Sequence, residues 1–382
     1  MSQHEAVPGA SSRTPALVGR RPLLVTGGAG FIGSNIADRL ARDGHDVLIL
    51  DALARPGVEA NLAWLKRRHP ARVSTVIADI RDEAAVADAA REAGAVFHLA
   101  AQVAVTTSLS DPRADFEVNL RGTLTLLEAL RRRPEPVPLL FASTNKVYGD
   151  LADIALERAG DAWLPVEERI RATGVSEDRP LDFHTPYGCS KGAADQYVLD
   201  YARSFGVPTC VLRMSCVYGP RQLGTEDQGW VAHFLIRALT GEPISIFGDG
   251  AQVRDVLDVA DCVEAWVQAW TRIGQAGGQA ASKVSGHAFN LGGGPDNAVS
   301  LRQLIAFIEG RVGGPVETNF SDWRAGDQRY YVSDTRRASA ALGLRPPTPW
   351  RTGVAALARW LRDERGFKVP APVEPSPAEA SA

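Results

Sequence analysis

The sequence predicts an α/β protein: a doubly wound parallel sheet followed by a smaller C-terminal part. Two patterns and a boundary predict it. Short β-branched or leucine-rich runs, apolar enough to be buried on both faces, alternate with longer stretches that carry apolar residues at helical spacing. A glycine-rich turn joins the first run to the first helical stretch. The alternation holds to about Met214 and then gives way to Gly- and Pro-rich sequence with scattered helices.

The strand-like runs are Leu23–Thr26, Asp46–Leu50, Val73–Ile77, Ala95–Leu99, Pro138–Ala142 and Thr209–Met214. Between them Ser34–Asp43, Glu83–Ala93 and Gly122–Arg131 read as helices, and Trp230–Thr240 reads as a helix beyond the alternation. The expected organisation is a loose tail over 1–18 and a nucleotide-binding domain over 19–213, with returning segments near 252–265 and 287–292. A mainly substrate-binding domain over 214–367 and a second tail over 368–382 complete it. Both tails are rich in Pro and Ala.

Composition bounds the function. The 382 residues are 45% hydrophobic and 23% charged, an ordinary globular balance. A net charge of −3 gives no reason to expect a nucleic-acid partner. The densest basic cluster, Arg131–Arg133, follows a helical stretch and suits the negative end of its dipole. Cys189, Cys210, Cys216 and Cys262 lack metal-ligand spacing, so reduced thiols and no metal are expected. Met1–Arg20 has no apolar leader core, and no run is long enough to span a bilayer, which points to a cytoplasmic protein without a membrane partner.

Leu23–Thr26 leads into Gly27-Gly28-Ala29-Gly30-Phe31-Ile32-Gly33 and then a helix. This spacing allows a tight bend and close backbone approach, and seats a pyrophosphate on the helix N-terminus, the Rossmann-type arrangement. The second strand ends at Asp51, where a carboxylate can accept both ribose hydroxyls and repel a 2′-phosphate, so NAD is favoured over NADP. The competing reading makes Asp51 a cap for the next element. Asp79-Ile80, after the third strand, either bounds the adenine or forms an ordinary turn.

Tyr187 and Lys191 stand four apart, on one face of a helix. An ammonium there lowers a phenol's pKa, and an oxidised nicotinamide would lower it further, so that phenolate could act as base. Thr144, at the end of Phe141-Ala142-Ser143-Thr144, can orient the reacting hydroxyl. The roles expected are base for Tyr187, tuner and ribose anchor for Lys191, and orienter for Thr144. His98, in an apolar run, reads as a satisfied core histidine, and Asn119 as structural or in indirect contact with the cofactor.

Gly27–Gly33, Asp51, His98–Gln102, Asn119, Tyr187 and Lys191, taken together, resemble the extended short-chain dehydrogenases that modify nucleotide sugars, from about Arg21 to Phe367. The resemblance implies that Gly27, Gly30, Phe31, Ile32, Gly33, Asp51, Asp79, Ile80, Leu99, Ala100, Gln102, Asn119, Tyr187 and Lys191 hold NAD. It implies that Thr106, Asn145, Gln222, Gln228, Arg254 and Arg324 hold a nucleoside-diphosphate sugar, with the two arginines on its pyrophosphate. For Arg254 a salt bridge to Asp255 or Asp258 competes with that role. Thr144-Asn145-Lys146-Val147-Tyr148 and Asp227-Gln228-Gly229-Trp230 resemble the branch that inverts C2 of a CDP-linked hexose.

The 4-epimerases of that family carry asparagine where this chain has Cys216, and its 4,6-dehydratases carry an Asp-Glu pair where Asn145-Lys146 stand. The alternatives that remain are a 4-epimerase or UDP-glucuronate decarboxylase on the same fold, and a non-catalytic NAD-binding regulator. The resemblance further implies a homo-oligomer. Leu151–Pro186 is expected to shape the sugar pocket.

Overall fold

The computed structural model describes residues 21–274, 281, 283–324 and 326–367; the expected tails, 1–18 and 368–382, lie outside the described residues. The first half runs β1 (Leu23–Thr26), α1 (Phe31–Arg42), β2 (Val47–Asp51), α2 (Val58–Arg68), β3 (Val73–Ile77), α3 (Glu83–Glu92) and β4 (Ala95–His98). Two short helices, α4 (Val105–Ser110) and α5 (Pro112–Phe116), lead through a π turn (Glu117–Arg121) into α6 (Gly122–Arg131) and β5 (Leu139–Thr144). Then come β6 (Leu156–Ala159), β7 (Ala162–Pro165), α7 (Glu168–Thr173), α8 (Thr185–Phe205), β8 (Thr209–Met214) and β9 (Cys216–Tyr218). The C-terminal part holds α9 (Trp230–Thr240), β10 (Ile244–Phe247), β11 (Val253–Asp258), α10 (Val259–Ile273), β12 (His287–Leu291) and β13 (Ala298–Ser300). It ends with α11 (Leu301–Val312), β14 (Thr318–Ser321), β15 (Tyr330–Tyr331), α12 (Arg336–Leu342) and α13 (Trp350–Arg365).

The main sheet has seven strands in the order β12-β8-β5-β4-β1-β2-β3, every pair parallel. A parallel sheet needs both faces covered, and alternate residues of β1 serve opposite sides. Leu23 and Val25 pack under α1, α2 and α10; Leu24 packs under α3, α6 and α8. Strand order reverses between β1 and β4, and such a reversal opens a crevice at the strands' carboxyl ends. Thus the Rossmann-type α/β fold is present.

Of the segments expected to return, 287–292 contains β12 on the sheet edge. The stretch 252–265 contains β11, which belongs to a separate sheet with β9, β13 and β15, and the start of α10, which packs on the main sheet. A third apolar cluster under α9, α11 and α13 is the core of the C-terminal part. Among the described residues, no helix is long and apolar enough to cross a membrane.

Several boundaries moved for identifiable reasons. Helix α1 begins at Phe31, not Ser34, because Gly30 itself is the N-cap. Strand β5 runs on to Thr144 because Ser143 and Thr144 stay in register with Arg213 and Met214 of β8. Ser143 is satisfied there by Asp195 at 2.7 Å, which also holds Arg213 through a buried pair at 2.9 Å. The stretch 151–186 forms the β6–β7 hairpin and α7; Trp163 ties it to Asp249 and Ala251. No residue of that stretch lines the cleft described below, contrary to expectation.

Candidate active site

The glycine turn is tight enough to exclude side chains. Gly27 has φ +69°, and a Cβ there would stand 2.7 Å from the Ala100 nitrogen and 2.8 Å from the Leu99 carbonyl carbon. A Cβ on Gly33 would stand 2.2 Å from the Gly27 oxygen, and one on Gly30 3.1 Å from it. The sequence reading passed over Gly28, whose Cβ would meet Ile49 of β2 at 2.8 Å. The turn therefore lies directly on both β2 and the segment after β4. Helix α1 has no side-chain cap, so its first N–H groups point outward at the positive end of the dipole.

Asp51 secures this cradle from the next strand. Its carboxylate accepts from the Ala29 N–H at 2.9 Å and the Leu53 N–H at 2.8 Å, one on each oxygen. Each oxygen keeps a further lone pair for a ribose hydroxyl. These features fit NAD: an anion seat at α1 and a carboxylate beside it. Asp79 is differently engaged, since Arg81 grips it through two side-chain bonds at 2.9 and 2.8 Å. Ile80 is buried against Gly122. The turn reading of this pair therefore describes its contacts among protein groups.

Leu99 and Ala100 form the opposite wall, their N–H groups donating to the Thr26 carbonyl and hydroxyl at 3.0 and 3.2 Å. Asn119 is buried; it accepts from the Gln102 N–H at 2.8 Å and donates to Asp115 and Ser190 at 3.1 Å. The Gln102 side chain donates to Asp115 and the Ala104 carbonyl, both at 2.8 Å. Asn119 and Gln102 thus spend their amides on holding the wall to α5 and α8, and act through it. His98 is satisfied between Thr26 at 2.7 Å and Thr123 at 3.0 Å, the core role read from the sequence; burial holds its pKa down at about 3.

Helix α8 carries Tyr187 and Lys191 on one face, as the spacing predicts. The Tyr187 phenol lies beside the Thr144 hydroxyl, near enough for it to act on the phenol's pKa, and its backbone N–H donates to Ser108 at 3.2 Å. Burial pushes the phenol up to about 12, with the neighbouring Thr144 hydroxyl opposing. Lys191 Nζ stands 4.1 Å from the Phe141 ring centroid. Burial lowers its own pKa to about 7, opposed by Asp195 and Asp115.

In front of Thr144 and Tyr187 opens a cleft of about 500 Å3. Phe31, Ile32, Thr106, Asn145, Gln222, Gln228, Arg254 and Arg324 all line it, so the structure brings every expected substrate residue to one place. Thr106 Oγ1, Gln222 Oε1 and Gln252 Oε1 are buried there without a partner, which is costly unless a ligand supplies one. Arg254 bonds Asp327 at 2.7 Å and the Gln328 carbonyl, rather than Asp255 or Asp258. Asp255 is taken by Ser215 and the Gly294 N–H, and Asp258 caps α10. Arg324 spans the mouth, pairing Glu226 at 3.2 Å and Asp227 at 3.3 Å over the Phe247 ring.

Sequence reasoning left out Lys146, Asp327, Glu226 and Phe247. The first three lie inside or beside the motifs it used, and Phe247 carries no signal short of the fold.

Fold and site together define the class. The chain belongs to the NAD dependent epimerase/dehydratase family, whose pattern matches residues 23–292, and it is an enzyme with NAD as cofactor. Over 345 residues it is 39% identical to the CDP-paratose 2-epimerase of Salmonella typhi, covering 88% of this chain and 98% of that protein. It is 35% identical to a UDP-glucose 4-epimerase of Mycolicibacterium smegmatis, over 89% of this chain and 98% of the relative. The Thermus thermophilus UDP-glucose 4-epimerase, solved in complex with NAD, superposes with a TM-score of 0.74 at 32% identity, covering 90% and 99% of the two chains.

Proposed function

We propose that the protein inverts C2 of a CDP-linked hexose, with Tyr187 as the proton acceptor, Thr144 as the orienter of the reacting hydroxyl and Lys191 as the ribose anchor. The observation that carries this reading is the near full-length match to the CDP-paratose 2-epimerase, combined with a cleft that ends at Tyr187 and Thr144. Cys216 and the Asn145-Lys146 pair line the same cleft; Cys216 stands where a 4-epimerase carries its amide, and Asn145-Lys146 where a dehydratase carries its acid pair. When bound, NAD supplies a reversible hydride acceptor and a positive charge near the phenol.

The chain's own residues divide the remaining work. Tyr187 Oη takes the proton of the C2 hydroxyl, helped by the Thr144 hydroxyl, and returns it after inversion. Proton and hydride loss together leave a 2-keto sugar, which must turn over while its diphosphate stays held. Arg254 and Arg324 hold that diphosphate, since a planar, permanently charged fork suits phosphate oxygens. Positioning of this kind keeps the intermediate in reach during rotation.

The test is product analysis by NMR with a panel of CDP- and UDP-sugars in D2O. Inversion at C2 of a CDP-sugar without solvent deuterium at that carbon supports the reading; inversion at C4 alone, or deuterium at C2, refutes it. Self-association is proposed on the family resemblance alone, and a monomer mass by light scattering would refute it.

A further inference from the structure

Lys146 has no role in the mechanism above, yet it stands where a substrate's charge must go. It follows Thr144 by two residues on the turn Asn145–Tyr148, and its backbone N–H donates to Thr144 Oγ1 at 3.2 Å. The side chain lines the cleft with 21% of its surface open. Its Nζ donates to the Gly326 carbonyl at 3.0 Å and lies 3.8 Å from Asp327, an ion-pair separation too long for a hydrogen bond. An ammonium has three protons, so donors remain for a ligand. Asp327 also bonds Arg254 at 2.7 Å, which fixes Lys146 and Arg254 as one cationic pair at the inner end of the cleft. Arg324 is at the mouth, committed to Glu226 and Asp227.

The chemistry of inversion at C2 makes this placement informative. C2 adjoins the anomeric carbon that bears the diphosphate, whereas C4 lies across the ring from it. Presenting C2 to Tyr187 therefore draws the sugar-proximal phosphate toward Thr144, deeper than presentation of C4 requires. A cation beside Thr144 is what such a pose needs. Resting on the C2 reading for its regiochemical part, we infer that Lys146 binds the β-phosphate of the nucleoside diphosphate and so selects C2 over C4 as the carbon offered to Tyr187. Arg254 shares that phosphate, and Asp327 keeps the two cations apart from each other and together in one place.

The experiment is calorimetric titration of the NAD-loaded enzyme with CDP and CMP, with UDP and UMP run beside them. Wild type is compared with Lys146→Met and Lys146→Gln. The expected result is a fall of about tenfold to a hundredfold in the diphosphate-to-monophosphate affinity ratio, with monophosphate affinity and NAD binding retained. A ratio within threefold of wild type overturns the assignment. So does an equal loss for both phosphates, or loss of NAD binding in both variants, since each marks a structural role. These titrations need no turnover: wild-type inversion at C4 alongside a collapsed ratio would remove the C2 reading and leave the phosphate contact standing.

Discussion

Replacing Gly33 by alanine puts a methyl group 2.2 Å from the Gly27 carbonyl oxygen and 2.9 Å from the Gly28 Cα, both backbone atoms of the cofactor turn. No rotamer change relieves the contact, so the turn and α1 must separate by about 1 Å, an overpacking that costs about 1–3 kcal/mol of stability. The larger loss falls on NAD. Displacing the turn from the helix end sacrifices about two charge-assisted bonds to the pyrophosphate, each worth about 1.5–3 kcal/mol, or about a hundredfold to ten-thousandfold in affinity together. Gly310 of α11 is the matched control, because a Cβ there meets nothing within 4 Å. Gly310→Ala should leave NAD binding unchanged and stabilise the helix by about 0.5–1 kcal/mol. Fluorescence titration with NAD and urea unfolding measure both. Gly33→Ala binding NAD within threefold of wild type would refute the close-approach argument.

Two further outcomes follow from the same geometry. Asp51→Ala removes the acceptor for the Ala29 and Leu53 N–H groups and the charge that repels a 2′-phosphate, so the preference for NAD over NADP should fall by about tenfold or more; parallel titrations check it, and an unchanged ratio counts against the assignment. His98 keeps its imidazole neutral down to about 3, whereas an unfolded histidine protonates near 6.5. Below 6.5 the unfolded chain therefore binds the extra proton, and stability falls as pH drops through that window, by about 2 kcal/mol between pH 7 and pH 5. His98→Gln should lose that much less over the same range in urea melts; equal slopes would contradict it.

The middle of the parallel sheet was legible because its strands are buried on both faces, and such strands read as apolar runs at β1, β4 and the start of β5. The glycine turn was legible because steric exclusion leaves only glycine at Gly27 and Gly33. Roles that depend on neighbours distant in sequence were harder to read. Lys191 lies over the Phe141 ring and under the influence of the Asp195 and Asp115 charges, neighbours that helical spacing alone does not give. The acid that holds Arg254 comes from position 327 and not from its own strand, because β11 and the loop before β15 meet only in the folded chain. The stretch 151–186 was misplaced because polar composition marks a surface segment without saying which surface.

The account stands on Tyr187 as the group that accepts the sugar hydroxyl's proton. The most direct test is Tyr187→Phe, which deletes one oxygen and leaves Lys191, the glycine turn and Asp51 untouched, assayed for epimerisation of CDP-sugars with NAD binding measured in parallel. The account predicts a loss of about a hundredfold to ten-thousandfold in kcat with NAD affinity within threefold of wild type. Turnover at the parent rate with NAD bound would contradict it.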